Sequence, residues 1–328
     1  MKLGGYSLST LCEALRARPE LELKRDIRLP ARVLGARSES AWFAGGDIAN
    51  GDDTAALPDG DGFTLFAAEG MRPEFVAADP WFAGFCAVMV NLSDVAAMGG
   101  RPWAVVDVLF SGSSDNEQIL LGMREASRSF GVPIVGGHTT RVDGNSVLAV
   151  AVLGRARRLI SSYRARPGQA ILAAFDLRGA FRGATSQFDA ATSASAATLR
   201  RNLSVLPELA EAELVSAGKD VSMAGLCGSL AMLLETSGVG ARLTLDEVPA
   251  PPNVDALRWL TAFPSFGFVL TAEPERAEEV QRRFAAVGLT CSVVGEIDAS
   301  RRLELCSFGE RALYADLGVE VLTGFGSR

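Results

Sequence analysis

The sequence predicts an α/β protein of two domains, on three observations. The chain has 328 residues, more than one hydrophobic core ordinarily supports. Each half alternates short apolar runs with segments whose apolar residues recur at three- and four-residue steps, the patterns of buried strands and amphipathic helices. Between the halves, RARRLISSYRARPGQ (155–169) shifts from apolar to basic and turn-forming residues, which sets the expected division at 1–155 and 156–328.

In chain order, MKLGGYSLSTLCEALRARPE reads as a short amphipathic helix. Glu13, Arg16 and Arg18 interrupt it, so it lacks the apolar core of a signal peptide. Residues 20–50 show no strong period. GDDTAAL (51–57) reads as a turn entering a strand, or as a carboxylate pair supplying the hard oxygen donors that Mg²⁺ takes beside nucleotide phosphates. After the DGDG turn, FTLFAAEG (63–70) is a strand ending on Glu69, at the end where α/β proteins usually keep ligands.

From Pro80 the residues Trp81, Phe85, Val88, Leu92 and Val95 form one apolar helix face. Asn91, Asp94 and Met98 fall on another face, with Ala87 and Gly84 a turn and two turns before Asn91. Such a surface suits a metal-phosphate group; equally, the two polar side chains could cap a neighbour. Gly99-Gly100 ends the helix, and WAVVDVLF (103–110) follows as a strand. SSDNEQILLGMREASRSFG is the next helix, with a Ser114/Glu117 capping box and Gly131 at its end. VPIVGG then runs as a short strand into GGHTTR (136–141), where two glycines before a Thr-rich turn allow backbone N–H groups close to an anion. His138, the sole histidine, is either structural or a chemical participant. SVLAVAVLG (146–154) closes the first domain.

The second half opens with the strand QAILAAFD, and an Ala/Ser/Thr-rich stretch (190–199) reads as a helix or its lead-in. KDVSMAGLCGSLAMLLETSG (219–238) offers a carboxylate, Ser222, a turn containing Gly225, and a helix with Leu226, Leu230, Leu233 and Leu234 on one side. That loop either delivers backbone donors and a positive dipole end to an anion or is an ordinary capped helix start. Beyond the Pro-rich EVPAPPN, FGFVLTA, PERAEEVQRRFAAVG and SVVGEI complete an α/β layer, and the last thirty residues read as a peripheral hairpin and tail.

Composition excludes several classes. A formal net charge of −7 argues against phosphate-backbone recognition as the main task, so no nucleic-acid partner is expected. Five scattered cysteines without a C-x-x-C pair fit reduced thiols better than a zinc site or a disulfide framework. Apolar stretches such as PWFAGFCAVMVNLS are too short to span a bilayer. The expectation is a cytoplasmic protein with no membrane partner.

Taken together, GDDTAAL, FAAEG, NLSDVAAMGGRP, VGGHTTR, DVSMAGL with SGVGARL, and FGFVLTA with VVGEI resemble, over most of residues 45–298, the PurM-like ATP-dependent superfamily. Its members include AIR synthetase, thiamine-monophosphate kinase, selenophosphate synthetase and a hydrogenase-maturation dehydratase; the nearest named group is the AIR synthase-related proteins. The resemblance implies an N-terminal α/β domain that shares a β-barrel with its symmetry mate in a homodimer, and a C-terminal α/β domain beside it. It implies ATP in the cleft, held through Mg²⁺. Carried over by position, Asp53, Asp94 and Asp220 match the family's metal-binding aspartates, Glu69 stands where an Asp is usual, and Gly136, Gly137, His138 and Thr139 match the nucleotide-contacting loop. Asn91, Ser222 and Gly225 join the expected nucleotide contacts, with Asp94 and His138 as the expected catalytic pair.

The expected activity is a Mg²⁺-dependent, ATP-using kinase or synthetase that phosphorylates an oxygen of a small substrate to activate it. The departures from the family pattern are Ala67 and Ala68, where hydroxyls are common, and Met223, where thiamine-phosphate kinases carry a second Asp. They motivate the alternative of a nucleotide-binding regulatory or assembly subunit without catalysis. The reactive Cys and Lys of selenophosphate synthetases have no counterpart after Gly4-Gly5, which argues against selenide as substrate.

Overall fold

The computed structural model describes residues 1–38, 48–112 and 116–326. Three helices open the chain: α1 (Leu8–Arg16), capped by the Ser7 hydroxyl on the N–H of Thr10, then α2 (Pro19–Arg25) and α3 (Arg28–Leu34). A two-residue pair, β1 (Arg37–Ser38) and β2 (Ile48–Ala49), precedes β3 (Ala55–Asp59) and β4 (Gly62–Met71). Next come α4 (Pro73–Ala78), α5 (Pro80–Ala97), β5 (Arg101–Ser111), α6 (Asn116–Phe130), β6 (Ile134–Arg141) and β7 (Val147–Ala156). The second half continues through β8 (Ala170–Phe175), a short pair β9 (Ala180–Phe181) and β10 (Phe188–Asp189), α7 (Ala196–Glu211), β11 (Ala217–Asp220), α8 (Gly225–Ser237) and β12 (Gly240–Thr244). It ends with α9 (Ala256–Leu260), β13 (Gly267–Ala272), α10 (Ala277–Ala286), β14 (Thr290–Asp298), β15 (Arg302–Ser307) and β16 (Glu310–Asp316).

Two mixed sheets organise these elements, in the strand orders β3-β4-β7-β5-β6 and β11-β13-β8-β14-β12-β15-β16. In the first, β5 and β6 are parallel and joined through α6, while the remaining pairs are antiparallel. Helices α5 and α6 cover one face of it. The sequence places small residues on α5, and the structure shows what they receive: a Cβ at Gly84 would lie 2.0 Å from the Ile119 carbonyl oxygen, and one at Gly122 would lie 1.9 Å from that of Trp81. Reciprocal glycines thus let α5 and α6 cross backbone to backbone, so Gly84 serves helix packing rather than ligand approach. Fifteen of the residues of α5 are buried, which makes it a core helix all round rather than one with a single apolar face. By length and mean hydropathy it is the one helix among the described residues that could cross a membrane, yet 83% of it is buried in the protein.

The other face of the first sheet carries Phe66, Val106, Val108, Phe110, Val147 and Leu153, each 38–50% exposed, with His138 and Thr140 in register beside them. The second sheet is covered on both sides. Ile171, Ala173 and Phe175 of β8 join a core with α1 and α8, while Leu172 and Ala174 face α7 and α10, which explains the uninterrupted apolar run of that strand.

Several expectations are redrawn. Leu8, Leu11, Cys12, Leu15 and Leu21, which the sequence groups with residues 1–155, pack into the core of the second sheet, where α1 meets α9 and the hairpin β15–β16. Strand β4 runs on to Met71, so Glu69 lies within it rather than at its end. The GGHTT segment is extended strand, not a turn; a Cβ at Gly137 would fall 2.4 Å from Oδ1 of Asp107 on the neighbouring strand, which accounts for that glycine. Helix α8 is buried on nearly every side rather than on one face. Gly99 and Gly131 do end α5 and α6 in left-handed conformation, as read from sequence. Ser114 of the expected capping box lies outside the described residues.

Candidate active site

Three aspartates distant in sequence converge where the two sheets meet. Asp53 lies in the loop before β3, Asp94 near the end of α5 and Asp220 at the end of β11, and one carboxylate oxygen from each lies within 4.8 Å of the others. Asp94 is 7% exposed, and its Oδ2 has no hydrogen-bond partner. A buried, unpartnered carboxyl oxygen beside two more carboxyl groups is costly to ionise without a cation, and a hard divalent ion is the partner this donor set suits. The residues therefore fit Mg²⁺.

The electrostatics follow from that crowding. Burial pushes the Asp94 carboxyl well above the usual range, and the charges of Asp220, Asp53 and Glu69 push it further. Burial and then Asp53 raise Asp220 to about 7. Glu69 is open to solvent by surface area, yet the walls of the cleft desolvate its carboxyl and raise its pKa, with Lys24 pulling it back.

Lys219, next to Asp220 on β11, directs its ammonium to Oδ1 of Asp53; both side chains are nearly buried, at 7% and 6% exposure. Burial alone would lower the lysine pKa, but the Asp53 and Asp52 carboxylates outweigh it and hold the ammonium charged. The N–H of Asp220 donates to Oδ2 of Asp53 at 3.3 Å. Asp52 is held separately, by the Ser161 hydroxyl at 2.6 Å and the Ser162 N–H at 3.1 Å. Its pKa is raised by burial, with Lys219 opposing.

The chain's C-terminal segment also reaches the site. The Glu235 carboxylate of α8 accepts the N–H groups of Leu322 at 2.7 Å and Thr323 at 2.8 Å. The Tyr163 hydroxyl bridges the carbonyls of Asn50 and Phe325, and the Phe325 ring packs on Gly51, where a Cβ would lie 2.4 Å from it. The expected peripheral tail is thus pinned beside the Asp52-Asp53 loop, because α8 presents a buried carboxylate to its amides.

Asp52, Asp53, Glu69, Asp94, Lys219, Asp220, Thr323 and Phe325 line a cleft of about 1030 Å³. Its lining also includes Phe75, Val90, Met223, Phe263 and Pro264, with Lys24, Arg72 and Arg182. Arg182 is held by Asp79 and Asp189.

Of the residues nominated from sequence, Asp53, Glu69, Asp94, Asp220 and Ser222 line this cleft. Asn91 does not: it is fully buried, with its amide donating to the Ala87 carbonyl at 2.8 Å. Gly225 has φ +66 and a Cβ there would meet the Leu260 oxygen at 2.0 Å, so local packing accounts for it. Gly136, Gly137, His138 and Thr139 lie on the edge strand β6, away from the cleft of their own chain, and the His138 Nε2 pairs with the Thr140 hydroxyl at 2.9 Å. Sequence reasoning paired Asp52 with Asp53 as metal donors, whereas Asp52 is bound by Ser161 and Ser162, and it missed Lys219, the Ser161–Tyr163 segment and Glu235. Lys219 carried one local signal, a lysine abutting a candidate metal ligand at the end of a strand.

Residues 51–156 match the family model of the AIR synthase related protein N-terminal domain, and residues 168–306 match that of its C-terminal domain. The Synechocystis protein sll0787 is 46% identical over 305 residues, covering 92% of this chain and 94% of its own. Thermotoga maritima PurL complexed with ATP superposes with a TM-score of 0.72 at 21% identity, covering 96% of this chain and 54% of that one, so the chain spans about half of PurL. A ThiL complexed with AMPPCP and TMP superposes at 0.63 with 17% identity, over 87% of this chain and 93% of that one. At such identities these two likenesses show a shared fold, the PurM-like one.

Proposed function

The chain belongs to the AIR synthase related family, and on that premise we propose that it is a Mg²⁺-dependent, ATP-using enzyme of kinase or synthetase type that phosphorylates an oxygen of a small substrate. The observation that carries this reading is the unpartnered, buried Oδ2 of Asp94, a residue whose carboxylate groups with those of Asp53 and Asp220. A cleft with this many carboxylates repels a triphosphate unless cations stand between them, and the ATP and AMPPCP complexes of the PurL and ThiL neighbours support nucleotide as the ligand. When bound, Mg²⁺ would supply the positive charge that neutralises the phosphates and the charge developing in transfer.

In this reading Asp53, Asp94 and Asp220 hold the metal, and Glu69 adds a fourth carboxylate from β4. Ser222 and the loop before α8 contribute polar contacts on the cleft wall, and Asn91 steadies α5 rather than touching nucleotide. The acceptor would use the apolar part of the lining, which includes Phe75, Val90 and Phe263, with Lys24 and Arg72 in the same lining to receive an anionic group. Catalysis is then chiefly positioning and charge neutralisation, as phosphoryl transfer requires.

The protein acts as a homodimer through the exposed apolar face of the first sheet, whose contiguous Phe66, Val106, Val108 and Phe110 mark an interaction surface. Since His138 and Thr140 share that face, the GGHTT strand contributes to nucleotide binding across the dimer, at the partner's cleft. The test is Asp94→Asn: the variant should keep its fold but lose Mg²⁺-dependent ATP binding by calorimetry and thermal shift. Retained ATPase or kinase activity would sink the assignment. Tight Mg²⁺-ATP binding by the wild type, with no turnover across a panel of oxygen acceptors, would favour the regulatory reading that Ala67, Ala68 and Met223 motivate.

A further inference from the structure

Lys219 occupies an unusual place for a lysine. Its side chain is 7% exposed, it lines the cleft, and its ammonium rests on Oδ1 of Asp53. That same aspartate belongs to the three-carboxylate group with Asp94 and Asp220, and its other oxygen takes the Asp220 N–H. Seven acidic side chains line this cleft: Glu74 and Asp79 pair with Arg72 and Arg182, which leaves Asp52, Asp53, Glu69, Asp94 and Asp220. Asp52 is bound by Ser161 and Ser162, and Oδ2 of Asp94 is buried without a partner.

Two kinds of cation can reconcile such a group: exchangeable ions, or one fixed in the chain. A divalent ion on Asp53 must share its carboxylate with the ammonium, and the two cations repel at close range where little solvent screens them. The lysine therefore removes one ligand oxygen from the pool and supplies a charge in its place. Compact, flexible and strongly charged, an ammonium can fill an ion's place among carboxylates without planar geometry. A pair serving stability alone would gain little from this burial, since apolar replacements of buried ion pairs are often as stable.

We propose that Lys219 is the built-in cation of this site: it stands where a further metal ion would otherwise bind Asp53, so that the cluster binds fewer divalent ions than its carboxylates allow and Asp53 is ordered before any ion arrives. This deepens the metal-cluster reading above and rests on it, but not on phosphoryl transfer.

The experiment uses metal-stripped wild type and Lys219→Met without nucleotide, titrated with Mn²⁺ while free Mn²⁺ is followed by electron paramagnetic resonance. The variant should bind one more Mn²⁺ per chain or bind its tightest ion at least tenfold more tightly. Its melting temperature, lower than wild type in EDTA, should also rise more with Mn²⁺, since binding to the folded state stabilises it. Should Lys219→Met not fold, Lys219→Gln takes its place, because its amide can still donate to Oδ1 of Asp53 without carrying a charge. Loss of the ammonium should again raise Mn²⁺ affinity tenfold. Equal titrations within twofold, including no binding by either protein, overturn the proposal. So does loss of Mn²⁺ binding in a folded variant, which would make Lys219 an organiser of ligands instead. Failure of the wild type to bind ATP would sink the phosphoryl-transfer reading and leave the Mn²⁺ comparison standing, so the two failures are distinct.

Discussion

Replacing Asp220 with asparagine should make the metal-free protein more stable at pH 8 and leave it unchanged near pH 4. Asp220 is 5% exposed, and burial together with the Asp53 charge moves its carboxyl from 3.8 to about 7. Each unit corresponds to roughly 1.4 kcal/mol between protonation states, so the ionised side chain costs the fold on the order of 2–4 kcal/mol, the lower figure allowing neighbouring carboxylates to absorb part of the relief. The sign follows from proton binding: between about pH 4 and 7 the folded chain holds a proton that the unfolded chain has released. Stability contributed by this group therefore falls as pH rises across that window and is level above it. Asparagine imitates the neutral acid, so the gap between variant and wild type should be near zero at the acidic end and reach its full size above pH 7. Thermal unfolding in EDTA at pH 5, 6, 7 and 8 measures it, and comparing the two proteins at each pH cancels the other titrating groups. Added Mg²⁺, which needs the carboxylate, should close or reverse the gap at pH 8. A gap independent of pH, or a variant less stable than wild type at pH 8 in EDTA, would refute the view that these carboxylates oppose folding.

Two further outcomes follow from the same structure. Val108→Asp or Phe110→Asp, each placing a charge on the exposed apolar face of the first sheet, should convert a dimer to a monomer by light scattering on a sizing column; a monomeric wild type would refute the dimer. Glu235→Gln removes a buried carboxylate that accepts three backbone N–H groups and the Thr323 hydroxyl, so it should lower stability by about 2 kcal/mol and speed proteolysis after residue 318. Unchanged cleavage would mean that the tail is held by its apolar contacts.

What was legible in the sequence was what local chemistry announces. The alternation of strands and helices shows in the apolar runs and in Gly99 and Gly131, whose left-handed backbone marks helix ends. Asp53, Asp94 and Asp220 could be nominated by residue type and resemblance, but that their oxygens lie within 4.8 Å is a property of the packed domains. What stayed hidden had no local sign. Ser161, Ser162 and Tyr163 sit in a stretch that composition marks as a linker, yet they hold the Asp52 carboxylate and the Asn50 carbonyl. Gly84 and Gly137 look like openings for a ligand and are occupied by Ile119 and Asp107. Phe325 belongs to a tail that nothing ties to Gly51 until Glu235 is seen to face it.

The position of the cluster carries a consequence for how the domains hold together. Asp53 and Asp94 come from the first sheet and its helix, Lys219 and Asp220 from the edge strand of the second, so the like charges are gathered at the seam between the two. Docking the domains without metal buries Asp94 and Asp220 and brings them against Asp53, and burial first, then the neighbouring carboxylates, raises the pKa of both. The Lys219–Asp53 pair and the Asp220 N–H to Asp53 contact cross the same seam with the opposite sign. Apolar contact adds to them: Ala96 and Ala97 at the end of α5 join the core formed by α7 and α10. Those attractions keep the halves together while Oδ2 of Asp94 still lacks a partner. On the proposed metal reading, a cation bound there would relieve the remaining repulsion, and ion binding and domain docking would be linked, each strengthening the other by the same free energy.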